Sequence, residues 1–399
     1  MADSKDTNKE TREFDIIVYG ATGYTGRLVA EYLNSHYGNS DNAPKWAMAG
    51  RNQAKLEDVR TLIGAPDDTP LVVADADSRE AMEAMAKRTK VVLTTVGPYQ
   101  LYGDELVAAC ARVGTDYADL CGEPAWMADK IKELHDVAKE SGARITFSSG
   151  FDSIPFDLGV MMTQKAAHDR WGAPSSRIKG RVRAMAGTFS GGTAASLGAT
   201  MKAAAKNPSI FKTLANPFAL TGDFEGPSQP SGMVPTYESG LGKWAAPFVM
   251  APINTKNVHR TNYLLGHPYG EDFKYDEMML TSPGDAGKQM AEAAVQMMKN
   301  PFGAKPPKPG EGPTAEEREK GFYDVVFVAE GPNDETLNFG VKGKYDPGYG
   351  STSRMLAETG IALLSCDAEG GVGTPGAFLG EALVDRLQEH AEISFTLES

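Results

Sequence analysis

The stretch "FDIIVYGATGYTGRLVAEYLNSH", Phe14 to His36, decides how the rest of the chain is read. Phe14 to Tyr19 is an apolar, β-branched-rich run that reads as a buried parallel strand, and Thr25 to His36 repeats apolar residues at helical spacing. Gly20, Gly23 and Gly26 therefore fall in a strand-to-helix turn. Such a turn aims the unpaired N–H groups of a helix's first turn at one point, and the helix dipole adds positive charge there, which suits a pyrophosphate. In this reading Gly20 permits the tight turn, Gly23 admits phosphates close to the backbone, and Gly26 lets helix pack against strand. The spacing is G-x-x-G-x-x-G rather than the commoner G-x-G-x-x-G. Glycines also mark ordinary turns, so the position directly after the chain's first strand carries the nucleotide reading.

The same rhythm continues outward. Strand-like runs lie at Lys45–Gly50, Pro70–Asp75, Lys90–Gly97, Thr115–Leu120 and Ala143–Phe147, separated by stretches of helical periodicity. This alternation reads as an α/β fold, a Rossmann-type doubly wound parallel sheet over residues 14–150. After Gly150 the rhythm changes. "SRIKGRVRAMAG", "DFKYDEMMLTS", "GFYDVVFVAEG" and "ETLNFGVKGKY" read as strands, the last two as a hairpin across Pro332–Asp334. Gly222 to Gly242 and Pro301 to Gly321 read as long surface loops. Residues 151–350 form a second domain, and 351–399 two helices and a strand that could return to either lobe. Residues 1–13 are expected to be a disordered tail.

Composition narrows the function. The 399 residues suffice for two to three domains, and a net charge of -13 argues against nucleic acid and anionic membrane as main partners. No apolar run reaches the ~18 residues of a membrane span. "MADSKDTNKETRE" holds no apolar signal stretch, so a cytoplasmic location is expected. Cys110, Cys121 and Cys366 show neither disulfide nor zinc spacing, and the histidines form no ligand pattern, so no metal is expected.

Cofactor choice turns on the end of the second strand, "AGRNQAKLE". An acidic residue there selects NAD, whereas here Arg51 stands ready for a 2′-phosphate, with Lys55 one turn later as a second cation. A plain surface loop is the other reading of Arg51. Asp75, closing the third strand, reads equally as a partner of the adenine amino group and as a helix cap. Gly97-Pro98 makes an irregular turn near the nicotinamide position, and Tyr99 follows it either as proton donor or as packing.

"DIIVYGATGYTGRL", "AGRNQAKL", "VVLTTVGPYQLYG", "GTDYADLCGE", "FSSGFDSIPFDLG", "FSGGTAAS", "MAPINTKNVHRTN" and "GVGTPGAFLGEALVDRL", in this order, together resemble the saccharopine dehydrogenase-like oxidoreductases, closest to the bacterial trans-acting enoyl reductases. The resemblance runs from Phe14 to about Thr396. It implies a nucleotide-binding lobe, a second α+β lobe on a mixed sheet, and last helices packed back near the first. It also implies NADP(H) and hydride transfer to an activated double bond on an acyl chain. Position by position, it puts Gly20, Thr22, Gly23, Tyr24, Thr25, Gly26, Arg51, Asp75, Thr95, Val96, Gly97 and Pro98 around the cofactor. It supplies no catalytic acid.

Candidates for chemistry come from the residues themselves. "GFDSIP" follows the last strand of the first lobe, so Asp152 and Ser153, with Tyr99, are the catalytic candidates; helix capping is the bland reading of Asp152. Cys121, Ser190, Thr193 and His259 are candidates for the substrate side. Cys121 reads as lining the cleft, although no histidine stands beside it in sequence to activate the thiol. Ser190 and Thr193 precede the helix "TAASLGATMKAAAK", whose N-terminus could meet a carbonyl or phosphate. The leading function is an NADPH-dependent reductase of an activated C=C bond on a lipid or polyketide-like acyl chain, free or carrier-bound. The alternatives are saccharopine-type amino-acid chemistry and a non-catalytic NADP-binding, lipid-associated scaffold. The apolar segments "KWAAPFVMAPI" and "PSIFKTLANPFAL" could serve an acyl tunnel, a homodimer face, a peripheral lipid contact or plain core.

Overall fold

The computed structural model describes residues 7–38, 43–187, 191–298 and 310–399. Its strands are β1 (Phe14–Tyr19), β2 (Trp46–Gly50), β3 (Leu71–Val73), β4 (Thr89–Thr94), β5 (Asp116–Asp119), β6 (Arg144–Thr146), β7 (Arg177–Ala186), β8 (Thr236–Glu238), β9 (Lys243–Pro247), β10 (Lys274–Leu280), β11 (Phe322–Glu330), β12 (Thr336–Lys344), β13 (Gly371–Gly373) and β14 (Ile393–Leu397). One seven-stranded sheet runs β13-β6-β5-β4-β1-β2-β3 with every pairing parallel. Helices cover both its faces, which explains why β1 and β4 are buried almost throughout rather than on alternate residues. The order reverses between β1 and β4, so their carboxyl ends open a crevice at the switch point.

The second sheet runs β14-β12-β11-β7-β10-β9-β8 and is mixed, parallel only between β7 and β10. The expected hairpin is β11 and β12, with Phe327 opposite Phe339. The two loop assignments need amendment. Thr236–Glu238 of the first is strand β8. In the second, Pro301–Pro309 lies outside the described residues, and Ala315–Lys320 is a helix. Thr314 and Glu317 close a reciprocal capping box on it, a pattern that "PTAEERE" already contains.

Residues 7–13 are also ordered, contrary to the expected tail. Thr7–Glu10 is helical, Lys9 pairs with Asp116 at 2.7 Å, and Arg12 donates to the Thr89 carbonyl and Thr115 Oγ1 at 2.6 Å. A polar segment is held here by charge and hydrogen bonds rather than by a hydrophobic face.

The final segment returns to both lobes. β13 extends the parallel sheet, with Val372 opposite Ile145, while β14 adds to the mixed one. Helix Thr352–Leu364 brings the fully buried Glu358 to the hydroxyls of Tyr32 (2.7 Å) and Tyr37 (2.6 Å), and Arg386 of helix Pro375–His390 closes the cluster at 2.7 Å.

Candidate active site

The site is built where the parallel strands end. Gly20–Gly26 follows β1, Thr95–Tyr99 follows β4, Leu120–Gly122 follows β5, and Gly150–Asp152 continues from β6. Gly20 takes a φ of +88°, which L side chains rarely adopt. A Cβ on Gly26 would lie 2.2 Å from the Gly20 carbonyl oxygen, so helix and turn touch backbone to backbone. Gly23 is the N-cap of helix Tyr24–Tyr37 at φ -81° and offers no side-chain cap. The helix start is thus left for an anion to complete. Positive φ is required at Gly20 and not at Gly23.

Arg51 and Lys55 are exposed beside this turn, and Asn52 caps helix Gln53–Leu62 by accepting from the Lys55 N–H at 3.0 Å. Thr22 is exposed and close to Gly50 at the end of β2. Asp75 is exposed and is not the helix cap: Ser78 caps Arg79–Ala86. Thr95 takes its N–H to the Tyr19 carbonyl at 3.2 Å, and its hydroxyl and Val96 pack where a Cβ on Gly20 would stand. The turn continues through Gly97-Pro98, a cis peptide. The Tyr24 hydroxyl donates to the Pro313 carbonyl and accepts from Arg318 at 2.9 Å, so its side chain also ties the turn to the second lobe.

A cavity of about 460 Å³ lies between the lobes. Thr25, Thr95, Gly97 and Tyr99 border it on the nucleotide side, Gly122 and Asp152 line it from the ends of the parallel strands, and Thr193 and Ser196 come from helix Gly191–Lys206. The second sheet contributes Met185 of β7 and Met279 of β10. Turn Pro347–Ser351 brings Tyr349, held because Asp346 accepts from the Tyr349 and Gly350 N–H groups at 3.0 and 2.8 Å.

Asp152 is the carboxylate of this cavity, half-buried, and withdrawal from water raises its pKa to about 7. Such a group is part protonated at neutral pH and can pass a proton. Asp152 does not cap the next helix; Ser153 is the N-cap of Ile154–Trp171. The Ser153 hydroxyl instead accepts from Asn257 at 2.8 Å, and Ser153 does not line the cavity. Tyr99 borders it with its ring, but its hydroxyl donates to the Thr94 carbonyl at 3.3 Å and accepts from the Leu120 N–H at 3.0 Å. Burial pushes that phenol well above its ordinary range, which favours packing over proton donation.

Two substrate-side expectations are corrected. Cys121 is fully buried and its thiol is pushed well above its usual range by burial, while its neighbours Leu120 and Gly122 line the cavity. His259 is buried between the rings of Phe218 and Phe273, away from the cavity, and burial lowers its pKa to about 3. Ser190 lies outside the described residues. Pro247 to Met250 of "KWAAPFVMAPI" line the cavity; the lining that sequence reasoning missed is methionines 185, 279, 297 and 298, which no spacing in the chain connects to that segment. Among the described residues, no three His, Cys, Asp or Glu side chains converge as a metal site, and no helix is long and apolar enough to cross a membrane.

The comparisons agree with this geometry. The family model described as the saccharopine dehydrogenase NADP binding domain matches residues 16–145, so NADP(H) is the cofactor of the parallel-sheet domain. A Mycobacterium tuberculosis H37Rv protein, provisionally named a trans-acting enoyl reductase, is 38% identical over 94% of this chain and 96% of its own length. A trans-acting enoyl reductase of Mycobacterium bovis is 36% identical over 94% of this chain and 96% of its own. Among solved structures, apo saccharopine dehydrogenase (L-Glu forming) from Saccharomyces cerevisiae superposes with a TM-score of 0.53 at 11% identity, covering 96% of this chain and 100% of that one, which shows the shared fold.

Proposed function

The chain belongs to the trans-acting enoyl reductase family of saccharopine dehydrogenase-like, NADP-dependent oxidoreductases, and from that premise we propose that it reduces an activated C=C bond of an acyl substrate with Asp152 as proton donor. The residues present fit the cofactor: a Cβ-free turn at Gly20 and Gly26, an uncapped helix start, and two exposed cations at the end of β2. The turn holds the pyrophosphate, and Arg51 with Lys55 holds the 2′-phosphate. When bound, NADPH supplies a hydride to the β-carbon of the unsaturated acyl group. Asp152 gives its proton to the α-carbon, leaving a saturated acyl group and an Asp152 carboxylate that recovers its proton from solvent. Developing charge on the acyl carbonyl oxygen is met by the N-terminal end of helix Gly191–Lys206, where Thr193 of the first turn and Ser196 of the second border the cavity.

The observation that carries this reading is the cavity's lining, which among the described residues is mainly apolar and holds no lysine, arginine or histidine. An amino acid condensing with an oxo acid carries several carboxylates and needs such groups. The arginines of the second half are committed elsewhere. Arg177 and Arg181 pair with Asp276, Arg183 with Asp324 and Glu398, Arg260 donates to the Leu220 and Val372 carbonyls, and Arg354 to Gly350. The open mouth between the lobes suits a substrate delivered on a carrier. Loss of NADPH absorbance on adding α,β-unsaturated acyl thioesters, free and carrier-bound, tests the proposal. Turnover confined to an amino acid plus an oxo acid would overturn it.

A further inference from the structure

Met185 on β7, Met279 on β10, Met250 at the start of helix Ala251–Leu264, and Met297 and Met298 at the end of helix Gly284–Met297 all line the cavity, brought there by four separate elements of the second lobe. Four of them are half-buried, and Met297 is 70% exposed at the mouth. Asp152, beside which the reacting bond is proposed to lie, lines the same cavity. Half-buried apolar side chains around an open cavity gain from a ligand that removes them from water. Methionine is unbranched and polarisable, so a wall of it reshapes around alkyl chains of varied length or branching, whereas a fixed slot of aromatic or β-branched residues would select one shape.

We propose that this methionine wall is the acyl-chain subsite, and that its half-buried members set how much aliphatic chain beyond the double bond the enzyme recognises. The inference rests on the enoyl-reductase reading and adds the substrate class: flexible saturated chains, with recognition ending where Met297 opens to solvent. Each methylene buried against the wall strengthens binding by about fourfold. Affinity therefore climbs with chain length and levels off once further carbons lie outside the mouth. Met279, on β10, is one of the half-buried members. Enlarging it to Trp shortens the usable chain, so the plateau arrives several carbons earlier, while Met279→Leu keeps the wild-type profile.

The test measures two things on wild type, Met279→Trp and Met279→Leu. One is the dissociation constant of saturated acyl thioesters from four to fourteen carbons, on the order of one methylene pair per step, in the presence of NADP⁺; the other is NADPH affinity, which certifies that each variant is folded. A rise and plateau in wild type, moved to shorter chains by Met279→Trp alone, is the expected result. A flat dependence on length in wild type, or an unmoved plateau in a Met279→Trp protein that still binds NADPH, would overturn the subsite. Should Met279→Trp not fold, Met250→Trp takes its place with the same expected and opposing outcomes. Chain-dependent binding without turnover on any enoyl thioester would overturn the proposed reaction and leave the subsite standing.

Discussion

Asn257 of helix Ala251–Leu264 donates to Ser153 Oγ at 2.8 Å. That bond turns the hydroxyl of the Asp152-Ser153 pair into the second lobe's framework and leaves the Asp152 carboxyl to the cavity. Asp152→Asn should therefore lower kcat by about a hundredfold, the scale of a lost general acid, with NADPH affinity little changed. Ser153→Ala should act through stability instead, leaving Asn257 unpaired at a cost of about 1–3 kcal/mol. Stopped-flow reduction beside urea unfolding separates the two.

The pH dependence follows from burial at Asp152. Its folded pKa is raised to about 7, so the proton-donating form is present below that pH and is lost as pH rises through it; kcat should fall on the alkaline side. For stability the sign is also set. Between the ordinary carboxylate range near 4 and about 7 the folded state holds a proton that the unfolded state has released, so this group's contribution falls as pH rises across that window. Asp152→Asn should thus gain stability over wild type at pH 8 and lose that advantage near pH 4. Denaturation at the two pH values checks it; an equal difference at both would contradict the shift.

Arg51→Ala should weaken NADPH about ten- to a hundredfold, the scale of one charge-assisted hydrogen bond, and leave NADH nearly unaffected. Titration of both cofactors against both proteins reads this out. Equal losses would remove Arg51 from the 2′-phosphate.

Gly23 and Gly26 should fail differently. A Cβ at Gly23 meets only the Gly20 carbonyl at 3.2 Å, and the backbone there is ordinary, so Gly23→Val should fold and lose NADPH binding. At Gly26 the same atom stands 2.2 Å from that carbonyl, so Gly26→Ala should itself cost about 1–3 kcal/mol of stability. Thermal melts with cofactor titrations distinguish them.

Glu358→Gln should destabilise the fold by about 3–5 kcal/mol, because it strips the charge from a fully buried carboxylate that Arg386, Tyr32 and Tyr37 all address. Urea unfolding measures it, and kcat of the remaining folded protein should stay near wild type.

The nucleotide domain was legible in the chain because its information is local. Gly20, Gly23 and Gly26 lie between one strand and one helix that neighbour them in sequence, and Arg51 follows directly on the next strand. Turn geometry, helix dipole and strand order together leave such a stretch few alternatives. The acidic composition argued only against nucleic acid and anionic membrane as main partners, whereas the ordered motifs and Arg51 pointed to an NADP-dependent oxidoreductase.

What only the tertiary structure decided is which side chains face the cavity. Asp152, Ser153, Cys121 and His259 are all polar groups near predicted turns, and sequence cannot tell a carboxyl aimed at a cleft from a thiol or imidazole turned into the core. Burial by distant segments makes that choice: Asn257 captures Ser153 from 104 positions away, and Phe218 and Phe273 enclose His259. Met185, Met250, Met279 and Met297, far apart in sequence, line one cavity only when the mixed sheet and its helices assemble. Hydrophobic burial is non-directional, so periodicity marks a residue as buried without saying against what.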